Sequence, residues 1–382
     1  MYTPKFTLGN IPKKVKIGDI TVRDGFQHEE FYVPLDAKMW FVEEAIKAGF
    51  KEIELTNFGN PRNIPQFRDN WELVEGACRL RKRAVEKGII SSEHDVEFTG
   101  VAIDRSRNYP IIEAKKAGKA VPDRVLCMAS TSQAHMIKNA GKDHKQYLAD
   151  SEIIIAELRD AGFKVCGTVS TIWGCPVTQS ATDLDWAVDL TEIFLRLGVS
   201  DIEHADHDGQ GNPVAVYDYF ARIMDKFPNP DLHVCHLHVT RGYGPANVYA
   251  AMQAGITRFE ATFGGLGGQP ANFIDRTPIK GTGEYYYSNP DAVGLLTMED
   301  ILVMWNGMGV EHGIDMTAAF KMGKMAEKVC GRTLRSAALH FGDLPKYGEI
   351  KTFKDFDVKE FRDKFPMPRY EVPGVPSDKW KA

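Results

Sequence analysis

Two histidines separated by one residue, His236-Leu-His238, close a short apolar run. Side chains at i and i+2 of a strand share a face, so both imidazoles can reach one metal ion. Arg23 and Asp24 set a cation beside a carboxylate, and Gly25 lets the chain turn away. Glu54 and Thr56 repeat the i, i+2 spacing, and Asp206 is followed by His207. Two histidines, one carboxylate and nearby acid–base groups suit Lewis-acid or hydrolytic chemistry at a metal with open positions. Each acid taken singly also reads as loop polarity, and the Arg23–Asp24 pair as a surface ion pair.

These residues must converge, and a repeat of strand and helix supplies the frame. Runs at 15–22, 52–56, 96–103, 124–130, 164–171, 201–206, 232–238 and 258–263 read as eight strands. Between them lie helical segments at 36–48, 71–87, 147–161 and 187–197, closed by Gly49, Gly88, Gly162 and Gly198. Such alternation predicts an α/β protein with parallel strands. Eight units in about 250 residues favour a closed (β/α)8 TIM barrel, here residues 15–341. Chemistry in such barrels sits at the C-terminal strand ends, where the reactive residues fall. Closure brings Asp24 from strand one near strand seven, giving it a place beside His236 and His238. Mixed carboxylate, imidazole and water ligation points to Mg²⁺ or Mn²⁺, with Co²⁺ and Zn²⁺ as alternatives.

The C-terminal extension, residues 342–382, carries five of the twenty prolines and reads as irregular chain with a short helix near 358–364. It either packs on its own barrel or covers a second copy in a homodimer or higher homo-oligomer. A 43% hydrophobic, 26% charged composition excludes disordered and coiled-coil classes. The net charge of −5 gives no reason to expect a nucleic-acid partner. No run approaches eighteen apolar residues, so no membrane span is expected. Six scattered cysteines without a CxxC pair suit a reducing, cytoplasmic setting. Gly264-Gly-Leu-Gly-Gly268 lacks the spacing of a dinucleotide fingerprint and reads as a lid or anion-holding loop.

Taken in order, six segments carry a resemblance: Arg23-Asp-Gly-Phe-Gln-His-Glu29, Glu52-Ile-Glu-Leu-Thr-Asn-Phe58, Gly174-Cys-Pro176, Ala205-Asp-His-Asp-Gly-Gln-Gly211 with Pro213, His236-Leu-His238 and Gly265-Leu-Gly-Gly268. From residue 16 to 342 the chain resembles the 3-hydroxy-3-methylglutaryl-CoA (HMG-CoA) lyase family. That family belongs to the metal-dependent lyase, synthase and carboxyltransferase barrels with a pyruvate carboxyltransferase-type domain. The resemblance implies that Asp24, His236 and His238 bind a divalent metal and that Arg23 stabilises an enolate. It also implies that Glu54 and Asp206 line the pocket. Arg23, Glu54, Asp206 and His207 are the candidate catalytic residues, with Asp206 or His207 as the base. Gln27, Thr56, Arg241 and Gln269 are the candidate substrate contacts.

Three departures from the family pattern bear on the substrate. Gln269 stands where the lyases have a catalytic cysteine, and an amide cannot act as that acid. Leu295 stands where the family has an asparagine ligand, leaving water, Asn272 or Asn289 to fill the position. The segment from Gln269 to Val293 is enlarged and carries Arg276, Lys280, Tyr285, Tyr286 and Tyr287. The stretch Val169-Ser-Thr-Ile-Trp-Gly-Cys175 has no lysine to carboxylate, which favours the lyase branch over biotin-linked transfer. The expected activity is carbon–carbon cleavage of a hydroxy-acyl-CoA or related hydroxy acid other than HMG-CoA itself. The alternatives are an acyl-CoA/2-oxo acid condensing synthase on the same barrel, an iron(II) oxygenase with a facial triad, and a non-catalytic ligand-binding homologue.

Overall fold

Short β-branched and apolar runs become strands, and the amphipathic segments between them become the helices that cover the sheet. The computed structural model describes residues 11–268, 273–274, 277–278, 294–344 and 358–365. Its barrel strands are β1 (Lys16–Asp19), β2 (Glu52–Asn57), β3 (Glu97–Val101), β4 (Arg124–Ser130), β5 (Lys164–Ser170), β6 (Asp201–Asp206), β7 (His233–Leu237) and β8 (Arg258–Ala261). Each pairs in parallel with the next, and β8 returns to β1 with Ile17 opposite Phe259, closing a (β/α)8 TIM barrel. Glycines stop the helices as expected. Leu35–Ala48 ends at Gly49 with φ 102°, and Leu184–Leu197 at Gly198 with φ 88°, a conformation most side chains avoid.

Phe41, Phe98, Phe194, Phe220 and Phe259 are fully buried in one apolar cluster between strands and helices. The barrel interior is different. At its N-terminal end Arg124 and Arg258 share Asp201, at 2.8 and 3.0 Å, and Arg258 also pairs with Glu52 at 3.0 Å. Farther along, β2, β6 and β8 contribute Glu54, Glu203 and Glu260.

Several strands are shorter than the sequence suggests, and the first difference matters for the site. The expected strand at 15–22 stops at Asp19, and Thr21–Gly25 winds into a π-helical turn. The amides of Asp24 and Gly25 both donate to the Ile20 carbonyl, while Asp19 Oδ1 accepts from the Thr21 amide. This wide turn carries Arg23 and Asp24, so neither sits on a strand; such turns concentrate at functional sites. β7 likewise ends at Leu237, and His238 follows it in an antiparallel bridge with Leu295.

The chain divides into two units, Pro4–Leu344 and a second made of Met1–Thr3 with Pro345–Ala382. The helix Val358–Lys364 belongs to the second and lies where the sequence places one. Among the described residues no helix is long and apolar enough to cross a membrane, and all six cysteines are unpaired thiols.

Candidate active site

Barrel closure brings β1, β7 and β8 side by side, and the π-turn then carries Asp24 across the mouth towards β7. Asp24 Oδ2 lies 3.4 Å from His236 Nε2, and Asp24, His236 and His238 each offer a ligand atom within 4.8 Å of the others. All three are buried. His238 Nδ1 is buried without a hydrogen-bond partner, as expected of a nitrogen placed for a ligand that proteins alone do not supply. Two imidazoles and a carboxylate form a donor set that fits a divalent ion.

The charges around this triad are arranged to hold it. Burial opposes ionisation of Asp24, but Arg23 and His236 outweigh it and hold the carboxyl well below its usual range. Burial also works against protonated His236, yet Glu203, Asp24 and Glu260 together raise it well above an ordinary histidine. His236 Nδ1 is 3.1 Å from Glu260 and 3.8 Å from Glu203, so a carboxylate orients this ring while Nε2 faces Asp24. A carboxylate behind a ligating histidine fixes its tautomer and strengthens it as a ligand.

Arg23 is spanned by two acids, with Nε 2.5 Å from Glu54 and Nη1 3.2 Å from Asp24. Burial acts against its charge, but Asp24 and Glu54 hold the guanidinium ionised. Burial also pushes the Glu54 carboxyl up, and Glu54 Oε1 and Thr56 Oγ1 are buried without hydrogen-bond partners. Gln27 Oε1 is similarly unpartnered, while its Nε2 lies 3.2 Å from His28 Nε2.

A family model described as HMGL-like matches residues 14–325. The chain belongs to the HMGL-like family. It is 26% identical over 328 residues to hydroxymethylglutaryl-CoA lyase YngG of Bacillus subtilis, covering 86% of this chain and 97% of that protein. It is 27% identical over 335 residues to the mitochondrial hydroxymethylglutaryl-CoA lyase of Bos taurus, covering 86% and 90%. A solved HMG-CoA lyase from Acinetobacter baumannii, in complex with coenzyme A and 3-methylmalate, superposes with TM-score 0.72 at 26% identity, covering 89% of this chain and 98% of that one. This HMGL-like protein is thus an enzyme of a metal-dependent carbon–carbon lyase family.

Two expected groups of the HMGL-like site take other arrangements. Asp206, read as a possible free base, accepts from the amides of Gly209 (3.0 Å), Gln210 (3.1 Å) and Gly211 (2.8 Å). Burial still raises it to about 7, but both oxygens are engaged in shaping the loop after β6. Arg241 donates through Nη1 to the carbonyls of Asp208 and Gly209, bracing that same loop. His207 stands on the loop they shape, its ring 5.4 Å from that of His238 and 4.5 Å from that of His135. Burial lowers His207 to about 4, leaving a neutral imidazole at neutral pH.

Leu295 is placed beside the triad. Its neighbours Gly294 and Leu296 hydrogen-bond with Val239 and Leu237, and its buried aliphatic chain approaches Gly267. Gly267 has φ +94°, and a Cβ there would come within 2.6 Å of the Asp24 carbonyl and 2.8 Å of Leu295 Cδ1. Only glycine fits that crossing. Gln269, Asn272, Asn289 and the loop residues Arg276, Lys280 and Tyr285 to Tyr287 lie outside the described residues.

The motifs pass over Glu203, Glu260 and His135. A signal for the two glutamates is available: charged residues at alternate positions of otherwise apolar strands, Asp201 and Glu203 on β6, Arg258 and Glu260 on β8, mark the inward face. His135 carries no such signal, because its contact with His207 joins the helix Gln133–Ala140, which follows β4, to the loop after β6.

Proposed function

We propose that the chain cleaves a carbon–carbon bond in a hydroxy-acyl-CoA or closely related hydroxy acid, with Asp24, His236 and His238 holding Mg²⁺ or Mn²⁺. The observation that carries this reading is the convergence of those three side chains beside Arg23. A divalent ion bound there supplies Lewis acidity to the oxygens of a chelating hydroxy acid. His207, neutral and next to His238, accepts the proton of the substrate alcohol. The carbon–carbon bond then breaks, the alcohol carbon becomes a carbonyl, and the electron pair moves into the thioester as an enolate. Arg23, fixed by Glu54 and Asp24, presents its remaining Nη to the enolate oxygen, a preorganised cation in a site shielded from water. The His207 imidazolium returns its proton to the enolate carbon, so no separate acid is required where the chain has Gln269. The CoA-bound relative of known structure supports a thioester substrate. Leu295 and Gln269 support an acyl group other than 3-hydroxy-3-methylglutaryl.

The test begins with metal content after dialysis and reloading with Mn²⁺. Wild type is expected to keep about one ion per chain, and Asp24→Ala and His236→Ala to lose it. Loaded wild type should then release an acyl-CoA and a carbonyl product from a hydroxy-acyl-CoA panel. Full metal retention by both variants would overturn the site, and a loaded protein inert towards the whole panel would overturn the reaction.

A further inference from the structure

The barrel interior has two unlike walls. Above the N-terminal ionic set that holds Arg124, β1, β2 and β6 to β8 and the turns after them supply the ionic groups already described, whereas β3 to β5 supply Val101, Leu126 and Cys166, a small apolar cluster separate from the main core. Ile103 and Met128 pack on that cluster from the mouth side. Strand alternation places Leu126 and Met128 on the same face as Arg124, and Arg124 Nη1 lies 3.3 Å from Thr99 Oγ1, the inward-facing residue of β3.

Three observations set this wall apart from the core. Met128 lies within a strand and opposite buried Thr168, yet both it and Ile103 keep part of their surface exposed, so open space remains in front of them. The hydroxyls of Thr168 and Ser170, on the inward face of β5, are fully buried and without hydrogen-bond partners. In the closed ring β3 is four strands from β7, so this wall faces the His236–His238 pair across the mouth. Among the described residues the cations of β3 to β5 on this face are Arg124, buried at the N-terminal end of β4 and paired with Asp201, and Lys164, exposed at the N-terminal end of β5 and paired with Glu97, both at the end of the barrel away from the mouth.

We propose that Ile103 and Met128 form the specificity wall for an uncharged alkyl arm on the substrate's alcohol-bearing carbon, an arm longer than methyl, with Thr168 and Ser170 donating to an oxygen beside it. This inference rests on the hydroxy-acid reading of the metal site and names the substrate class within it. A carboxylate arm has no cation to meet on this wall, and desolvating it against Met128 and Leu126 is unfavourable. An alkyl arm gains from each methylene removed from water.

The experiment is titration calorimetry of Mn²⁺-loaded protein with 2-hydroxy-2-methylpropanoate and with homologues in which one methyl is ethyl, propyl or butyl. 2-Hydroxy-2-methylbutanedioate serves as the charged-arm comparison. Affinity is expected to rise about 3- to 4-fold for each of the first added carbons, and the charged arm to bind more weakly than propyl. Met128→Trp should cancel the gain with length, and Met128→Ala should move the preferred arm one or two carbons longer. Binding of the parent acid with no rise along the series, or a preference for the charged arm, overturns the alkyl wall and leaves the metal site standing. Absence of binding by every compound overturns both.

Discussion

Arg23 shows how the value of a single side chain depends on its neighbours. A guanidinium beside one carboxylate on a surface contributes little, but here it is buried between Glu54 and Asp24, with Nε and Nη1 both occupied. Two of its edges are fixed by acids, so the remaining Nη is presented in one orientation. Arg23→Gln is expected to lower kcat about 10²- to 10³-fold, the cost of removing one preorganised donor to an oxyanion. Arg23→Lys should rescue little of it, because an ammonium cannot span Glu54 and Asp24 in the same fork. Steady-state kinetics at saturating Mn²⁺ measure both, and a loss confined to KM would place Arg23 in substrate binding instead. His207 reads differently at this scale. Its lowered value comes first from burial, so it is the burial of the loop after β6 that keeps it unprotonated.

At the scale of elements, the π-turn after β1 and the glycine-rich turn after β8 decide where the ligands stand. The second is tied down by Glu299, near the start of the helix Met298–Met308, whose two carboxyl oxygens accept from the Gly264 amide at 3.1 and 3.0 Å. Burial raises Glu299 from its ordinary 4.5 to about 8. Between those values the folded protein holds a proton that the unfolded chain releases. The associated stability is fully present below about pH 4.5 and is lost as pH rises through about 8. Glu299→Gln keeps an acceptor for Gly264 and removes the titration. The melting temperature of wild type is expected to fall from pH 5 to pH 8 more steeply than that of the variant. Parallel pH profiles of the two proteins would show that Glu299 does not carry the difference.

For the whole molecule, barrel closure confines charge as well as apolar surface. The N-terminal end of the interior holds Arg124, Arg258, Asp201 and Glu52, and Asp201 serves both arginines. Such a set gains little over a well-packed apolar layer, but breaking it leaves buried charge without compensation. Asp201→Asn is expected to destabilise the barrel by about 3–5 kcal/mol. A shift of the urea midpoint with an unchanged slope would report that loss. A midpoint equal to that of wild type would mean that water or Glu52 already satisfies the two arginines. The unlike walls of the interior, ionic on one side and apolar on the other, also exist only once β8 has returned to β1.

Local patterning in the sequence determined the eight strands and four of the barrel helices with their glycine stops, because alternation, amphipathic periodicity and positive-φ glycines act over a few residues. It also determined the three metal-ligand candidates, since His236-Leu-His238 shares a face by strand geometry and Asp24 follows from closure. The end of β1 at Asp19 was not legible, because the π-turn depends on both Asp24 and Gly25 finding the Ile20 carbonyl. Nor was the engagement of Asp206 by three loop amides, or the braces made by Arg241. Glu203 and Glu260 come from different strands, and their meeting at His236 Nδ1 depends on the register of β6 against β7 and of β7 against β8. Tertiary structure alone decided those contacts, because they join residues far apart in sequence, where no short-range pattern constrains the distance.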